Sequence, residues 1–213
     1  MALPQHAQRA SRTTGRFSRA SLLRRGAAGG GALLVSASGG AVFVRASAAA
    51  GVPDGDLAYL RVLLAAELLA ADCQRRALAS GRLAPSTARL VRSMLADEKA
   101  HATALSSLIA GAGQVAATAA DIDFTYPAGA FARQASILEL AGSLERLTLG
   151  AYLGAIENVQ TPSLRLPIGQ IAANEAQHVS VLAAASGRPP IGRAFAPSLQ
   201  IEAVSAALDA YES

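Results

Sequence analysis

Two segments of the chain decide the fold: residues 97–105, DEKAHATAL, and residues 174–182, NEAQHVSVL. Each places a Glu three residues before a His, and these are the only two His residues beyond residue 48. In an α-helix, residues three apart share one face and lie about 4.5 Å apart along the axis. A Glu and a His in this arrangement can bind one metal ion, so the segments predict ligand pairs on two helices.

Apolar residues recur with helical spacing around both segments, and turn signals divide the chain beyond residue 51 into four long helices. Ser86 is expected to cap the second helix, and Asp54 or Asp56 the first. Pro162 stands where proline is favoured at the first position of the fourth helix, whose start Pro167 is expected to delay or kink. The predicted helices cover residues 54–80, 86–111, 130–160 and 162–186.

The connections between these helices define the architecture. Residues 81–85 form a short turn, so the first two helices are antiparallel neighbours, and a second short turn joins the last two. Residues 113–129 are long enough to cross the length of a bundle. With 52% hydrophobic residues, 4% aromatic residues and no Trp, the composition favours packed helices over sheets. We therefore predict an all-α antiparallel four-helix bundle with a long crossover between helices two and three.

The inward face of each predicted helix is apolar except near its middle, where it carries a Glu. Burying four carboxylates and two imidazoles is prohibitive unless something compensates, and a pair of divalent metal ions does so. Carboxylate and imidazole ligands favour iron, then manganese, and the absence of thiolate ligands argues against structural zinc. We expect Glu98 and Glu175 to bridge the two ions, with Glu67 and Glu145 as terminal ligands. The predicted metal ligands are Glu67, Glu98, His101, Glu145, Glu175 and His178.

Four further polar residues lie near this pattern. Tyr152 lies seven residues after Glu145 and is interpreted as a core aromatic residue in preference to a redox residue or a partner of a ligand. Gln74 lies seven residues after Glu67, and whether it bonds a ligand carboxylate is left open. The remaining two, Glu139 and Glu157, are rejected as ligands and expected in solvent.

Residues 1–48 differ from the rest of the chain, since they hold seven Arg and no acidic residue. Residues 26–44 are uncharged and are followed by Ala46-Ser47-Ala48, which is typical of a cleaved export signal. A retained transmembrane anchor is the alternative, but six of these nineteen residues are Gly. A nucleic-acid-binding arm is disfavoured, because the basic segment runs directly into the apolar one. Residues 18–24 resemble the twin-arginine export motif, with Ala20 in place of the second Arg.

The sequence therefore divides into three parts. Residues 1–48 are the predicted export signal, with a degenerate twin-arginine-like motif, and residues 49–190 form the bundle. Residues 191–213 are a C-terminal tail with a short helix near residues 198–211, which is expected to pack on the outside of the bundle. The apolar face of this short helix is predicted to consist of Leu199, Ala203, Ala206 and Ala210.

Residues 97–105, 144–155 and 174–178 resemble the ferritin-like domain family of exported bacterial proteins, over about residues 52–187. The resemblance implies a ferritin-like bundle and a dinuclear site on the six predicted ligands. Storage ferritins usually have Gln in place of the second Glu-x-x-His, so the pattern is closer to bacterioferritin, rubrerythrin and manganese catalase. The single Cys, Cys73, leaves no rubredoxin-like Cys pairs, which are the electron-entry device of rubrerythrins.

We expect an exported protein that binds a di-iron or di-manganese centre and oxidises Fe(II) or reacts with O2 or peroxide. The alternative is a non-catalytic metal-binding or stress-related structural bundle, and a membrane-anchored scaffold is a third class if residues 26–44 stay attached. The expected partners are metal ions and O2 or peroxide, with no nucleic acid, no stable membrane anchor after cleavage, and a homo-oligomer left open. The expected location is the periplasm, the cell wall or the extracellular space, with the twin-arginine system as one route.

The mature chain is expected to begin near Ala49, because Ala46-Ser47-Ala48 supplies the small residues that a signal peptidase requires. N-terminal sequencing of the exported protein measures this directly. Recovery of exported material with residues 1–20 intact would show that the segment is not removed.

Overall fold

The structure is a computed structural model that describes residues 51–213, so the predicted export signal lies outside the described residues. No helix within residues 51–213 combines the length and the apolar character needed to cross a membrane. A short 3-10 turn, Ala119–Asp121, lies in the crossover. The α-helices of this range are α1 (Asp54–Ala79), α2 (Pro85–Gly111), α3 (Gln134–Asn158), α4 (Pro162–Ala185) and α5 (Ile201–Asp209).

Helices α1 to α4 form the predicted four-helix bundle. Helix α1 packs along α2 and α3 packs along α4, so each short turn produces an antiparallel hairpin, and contacts between α1 and α3 join the two hairpins. Helices α2 and α4 approach each other at far fewer positions. The long crossover between α2 and α3 is therefore confirmed, as is the order of all four helices.

Several predicted helix ends differ from the structure. Neither Asp54 nor Asp56 caps α1, whose N-cap is Pro53, and Ser86 does not cap α2, which begins one residue earlier with Pro85 at its first position. A proline at this position needs no hydrogen bond for its nitrogen, so the helix can start without a side-chain cap. Helix α4 begins at Pro162 as predicted.

The effect of Pro167 on α4 and the start of α3 are two further points at which the prediction differs from the structure. Pro167 lies inside α4 and does not delay its start. Helix α3 begins later than predicted, because Gly129 adopts a φ of 78° and the chain makes turns at Ala130 and Ala132 before the helix starts. Such a positive φ is accessible to glycine at little cost, so this residue favours a turn over an earlier helix start.

Asp56 has a role that its sequence position does not reveal. Its carboxylate is buried and accepts hydrogen bonds of 2.8 Å from the backbone N–H groups of both Gln160 and Thr161. Burial alone would raise the pKa of Asp56, but the bonds from Thr161 and Gln160 outweigh it and lower that pKa. Asp56 thus joins the start of α1 to the turn between α3 and α4, and so helps to set the relative depth of the two hairpins.

The C-terminal segment closes over the outside of the bundle, as predicted, but of its predicted apolar face Leu199 alone packs against the core. Helix α5 packs on α1 and α3 through the buried Val204 and Leu208, whereas Ala203, Ala206 and Ala210 are exposed. The larger apolar side chains, four residues apart, bury more surface than the alanines and determine the rotation of α5.

The approach of the C-terminal segment depends on two glycines of α3. The backbone N–H of Leu199 donates a 2.9 Å hydrogen bond to the carbonyl oxygen of Gly150. A Cβ atom at Gly154 would collide with the backbone of Leu199, so only glycine permits this contact. At the end of the chain, the backbone N–H of Thr125 donates to the carbonyl of Tyr211 at 2.8 Å, which joins the C-terminus to the crossover.

Replacing Asp56 with Ala is expected to lower the free energy of unfolding by about 2 to 3 kcal/mol, because two backbone N–H groups lose a buried, charged acceptor. Denaturant unfolding at pH 7 measures the loss. Asp54→Ala is the matched control, since Asp54 is exposed at the start of the same helix, and its loss should be below about 1 kcal/mol. Equal losses for the two variants would show that Asp56 does not join the helices.

Candidate metal centre

The six predicted ligands lie together at the centre of the bundle, and every helix of the bundle contributes at least one of them. Helices α1 and α3 each contribute one carboxylate, while α2 and α4 each contribute a Glu and the His one turn later. All six are buried, and the most exposed of them retains 9% of its accessible surface. They are Glu67, Glu98, His101, Glu145, Glu175 and His178.

The six residues form two overlapping groups, in each of which the four ligand atoms lie within 4.8 Å of one another. Glu98 and Glu175, called here the shared carboxylates, belong to both groups. The His101 group adds Glu67 and His101 to them, and the His178 group adds Glu145 and His178. Glu67 and Glu145, called here the outer carboxylates, each belong to one group only.

Both imidazole rings direct Nδ1 toward the carboxylates. Nδ1 of His101 lies 3.0 Å from Glu175, 3.5 Å from Glu67 and 3.6 Å from Glu98. Nδ1 of His178 lies 3.2 Å from the Glu98 carboxylate, with Glu145 at 3.4 Å and Glu175 at 3.7 Å. The two groups therefore have closely similar distances between the imidazole and its three carboxylates.

Seven buried atoms of these residues form no hydrogen bond in the structure, although the two Nδ1 atoms lie 3.0 to 3.7 Å from carboxylate oxygens. An unpaired buried polar atom costs about 1 to 3 kcal/mol, and more when it is charged. Each of these atoms is a carboxylate oxygen or an imidazole nitrogen that can bind a metal ion, and they surround two small volumes. Ligand atoms of these kinds suit iron or manganese. The seven atoms are Oε2 of Glu67, Glu98 and Glu145, both carboxylate oxygens of Glu175, and Nδ1 of His101 and His178.

The directions of the pKa shifts divide the four carboxylates into the same two pairs, outer and shared. Burial, reinforced by the neighbouring carboxylates, raises the pKa of both outer carboxylates. Burial also acts to raise the pKa of the shared carboxylates, but the two His side chains outweigh it and lower that pKa. Burial opposes protonation of the imidazoles, yet the surrounding carboxylates raise the pKa of His101 to about 12, and that of His178 also rises. Without metal, these shifts favour protonated imidazoles beside ionised shared carboxylates, and they favour protonation of the outer carboxylates.

Two polar side chains bond directly to the ligands. The Gln74 side-chain amide donates hydrogen bonds of 2.8 Å to Glu98 and 3.0 Å to Glu145, which answers the question that the sequence left open. The Tyr152 ring is fully buried, as expected of a core residue, but its hydroxyl donates a hydrogen bond to Glu67. Interpreting Tyr152 as a core aromatic alone was therefore wrong. Its spacing of seven residues from Glu145 placed it on the same inward face, and its long side chain reaches Glu67 from about two turns along the helix.

Asp97 was not predicted from the sequence. Its carboxylate lies 3.3 Å from Nε2 of His178, the ring nitrogen that faces away from the cluster. Asp97 gave no signal of its own, because a residue adjacent to Glu98 points about 100° away from it around the helix. The contact depends on the approach of α2 to α4. Glu139 and Glu157 are exposed on α3, as predicted.

A family model described as a ferritin-like domain matches residues 55–188. The match includes all four helices of the bundle and all six residues of the cluster. No curated protein shows significant similarity to the chain.

Protein stripped of metal is expected to gain stability as the pH falls from 8 to 5. The outer carboxylates and both imidazoles have raised pKa values in the folded state. Their stabilisation is complete below the unfolded pKa values of about 4.3 and 6.5 and is lost as the pH rises through the folded values. The shared carboxylates have lowered pKa values, so their stabilisation is present above about pH 4.3 and stays constant over this range.

Metal-loaded protein should behave in the opposite way, because its ligands must be deprotonated and acid releases the ions. Melting temperatures of stripped and loaded protein between pH 5 and 8 should therefore converge toward pH 5. The variant Glu67→Gln with Glu145→Gln removes two of the titrating groups and should flatten the curve of the stripped protein. Parallel curves for stripped and loaded wild-type protein would contradict a common site.

Proposed function

The chain belongs to the ferritin-like domain family, and we propose that it binds a pair of iron or manganese ions with which it oxidises Fe(II) or reacts with O2 or peroxide. The observation that carries the proposal is the set of seven buried, unbonded ligand atoms in two overlapping groups. Two divalent ions would balance all four carboxylates in their ionised form, whereas without metal the two imidazoles can neutralise only two of them and the pKa of the outer pair rises.

The two groups indicate how the ions would be held. The shared carboxylates, Glu98 and Glu175, are within reach of both positions and would bridge them. Glu67 and His101 would complete one position, and Glu145 and His178 the other. A dinuclear iron or manganese centre supplies two-electron redox chemistry toward O2 or peroxide.

The surrounding residues orient the ligands and limit the access of water. Gln74 and Tyr152 hold three of the four carboxylates by hydrogen bonds. The His101 side chain retains 11% of its surface, against 4% or less for the other five ligand side chains. One edge of the cluster, at His101 on α2, is therefore nearest to solvent, which supports reaction with a small molecule over a fully sealed structural site.

The location of the protein is also a proposal. We infer export to the periplasm, the cell wall or the extracellular space from the basic and apolar composition of residues 1–48 and the small residues that follow. A cluster of this kind can be loaded before export if the chain crosses the membrane folded, as in the twin-arginine system.

Wild-type protein is expected to bind two metal ions per chain, and Glu98→Ala or His178→Ala is expected to lower this number. Glu98 contributes to both groups and His178 to one, so the loss should be larger for Glu98→Ala. Elemental analysis of protein purified from its own compartment measures the number and identity of the ions. Glu157→Ala is the matched control on α3 and should retain full occupancy, because Glu157 is exposed.

The same preparations distinguish catalysis from a structural role. Metal-dependent turnover of Fe(II) or hydrogen peroxide by wild-type protein, lost in Glu98→Ala and retained in Glu157→Ala, would support the oxidoreductase. Full occupancy without turnover would favour the non-catalytic metal-binding bundle. Equal metal loss in Glu98→Ala and Glu157→Ala would contradict the assignment of the ligands.

A further inference from the structure

The candidate ligands repeat along the chain, but the residues that support them do not. Glu98 and Glu175 are separated by 77 residues, as are His101 and His178, so each hairpin contributes an equivalent set. The same separation relates Asp97 to Asn174, which directly precede the two shared carboxylates. A carboxylate in one hairpin therefore corresponds to a neutral amide in the other.

On the His178 side, the carboxylate is in contact with the ligand. Asp97 Oδ2 lies 3.3 Å from Nε2 of His178, while Nδ1 of the same ring faces the cluster. A carboxylate in this position accepts the Nε2 proton, which leaves the lone pair of Nδ1 free for a metal ion. It also fixes the orientation of the ring and increases the basicity of the ligand nitrogen.

On the His101 side, the equivalent support is weaker. The Asn174 carbonyl oxygen Oδ1 is buried and forms no hydrogen bond. Among the residues described, the ion-pair contacts of His101 with carboxylates run through Nδ1, and none runs through Nε2. Asn174 carries no net charge and its Oδ1 bonds no imidazole, so it does not raise the basicity of His101 as a carboxylate bonded to Nε2 would.

The outer carboxylates differ in the same direction. Gln74 and Tyr152 are themselves equivalent in the repeat, since each lies seven residues after an outer carboxylate. Gln74 links Glu145 to the shared Glu98 through one amide group. Tyr152 bonds Glu67 through its single hydroxyl and joins it to no other ligand. The His178 group is thus held by more side-chain contacts than the His101 group.

We propose that the two metal positions are inequivalent, and that the position of Glu145 and His178 binds its ion first and at least about tenfold more tightly, because Asp97 supports His178. The position of Glu67 and His101 fills second and exchanges its ion more readily. This inference rests on the proposed dimetal site, and it assigns Asp97 as a positioning residue that acts through His178.

The experiment is a titration of stripped full-length protein with Mn(II), with free Mn(II) followed by electron paramagnetic resonance. Wild-type protein should show two binding steps separated by at least about tenfold. Asp97→Asn should weaken the tighter step by about 10- to 100-fold, so that the two steps approach each other. Asn174→Asp should strengthen the weaker step, and it tests the inference independently of how well Asp97→Asn folds.

Two single-site backgrounds identify the position that each step represents. His101→Ala should retain the tighter site, and adding Asp97→Asn to it should weaken that site. His178→Ala should retain the weaker site, and adding Asp97→Asn to it should leave that affinity unchanged. Glu139→Gln is the control for the loss of one carboxylate from the bundle, since Glu139 is exposed on α3.

The outcomes separate this inference from the proposed function. Two Mn(II) ions bound with equal affinity, or an equal weakening by Asp97→Asn and Glu139→Gln, would overturn the inequivalence while leaving the dimetal site in place. Weakening of the His178→Ala protein by Asp97→Asn would also overturn it, because Asp97 would then act on the other position. Wild-type protein that binds no Mn(II), Fe(II) or other divalent metal would instead overturn the proposed function.

Discussion

The burial of four carboxylates and two imidazoles in an otherwise apolar interior is the constraint on which the structure depends. Ionised groups in this position destabilise the fold unless they are compensated, and the two imidazoles can balance only two of the four carboxylates, so the pKa of the outer pair rises. All four helices must therefore bring their polar residues to one depth. The short turns of both hairpins and the bonds from Asp56 to the second turn maintain this depth.

The rest of the fold covers the bundle on the side of α1 and α3 and leaves the side of α2 and α4 less covered. Helix α5 packs on α1 and α3, and the end of the chain joins the crossover beside Thr125. Helices α2 and α4, which carry the two His residues, make the fewest contacts with each other among the bundle neighbours. The cluster is thus nearest to solvent between these two helices, where Asp97 and His101 retain part of their exposure.

Much of the fold and of the candidate site could be predicted because helical periodicity is a local property. The spacing of Glu and His within one helix determines which face they share, and the turn lengths determine which helices are neighbours. The errors occurred where competing local signals were of similar strength. Ser86 was a reasonable cap, but Pro85 already starts the helix, and the alanines of α5 were outweighed by Val204 and Leu208.

The sequence by itself determined the helices, their inward faces and the six residues that meet at the centre. Only the tertiary structure decided which partners those residues take: Gln74 bonds ligands from α2 and α3, Tyr152 bonds Glu67, and Asp97 contacts His178. Contacts between helices depend on their relative rotation and on displacements of about 1 to 2 Å, which decide whether a hydrogen bond forms at all. No local pattern encodes these quantities, because they result from the packing of all side chains in the core at once.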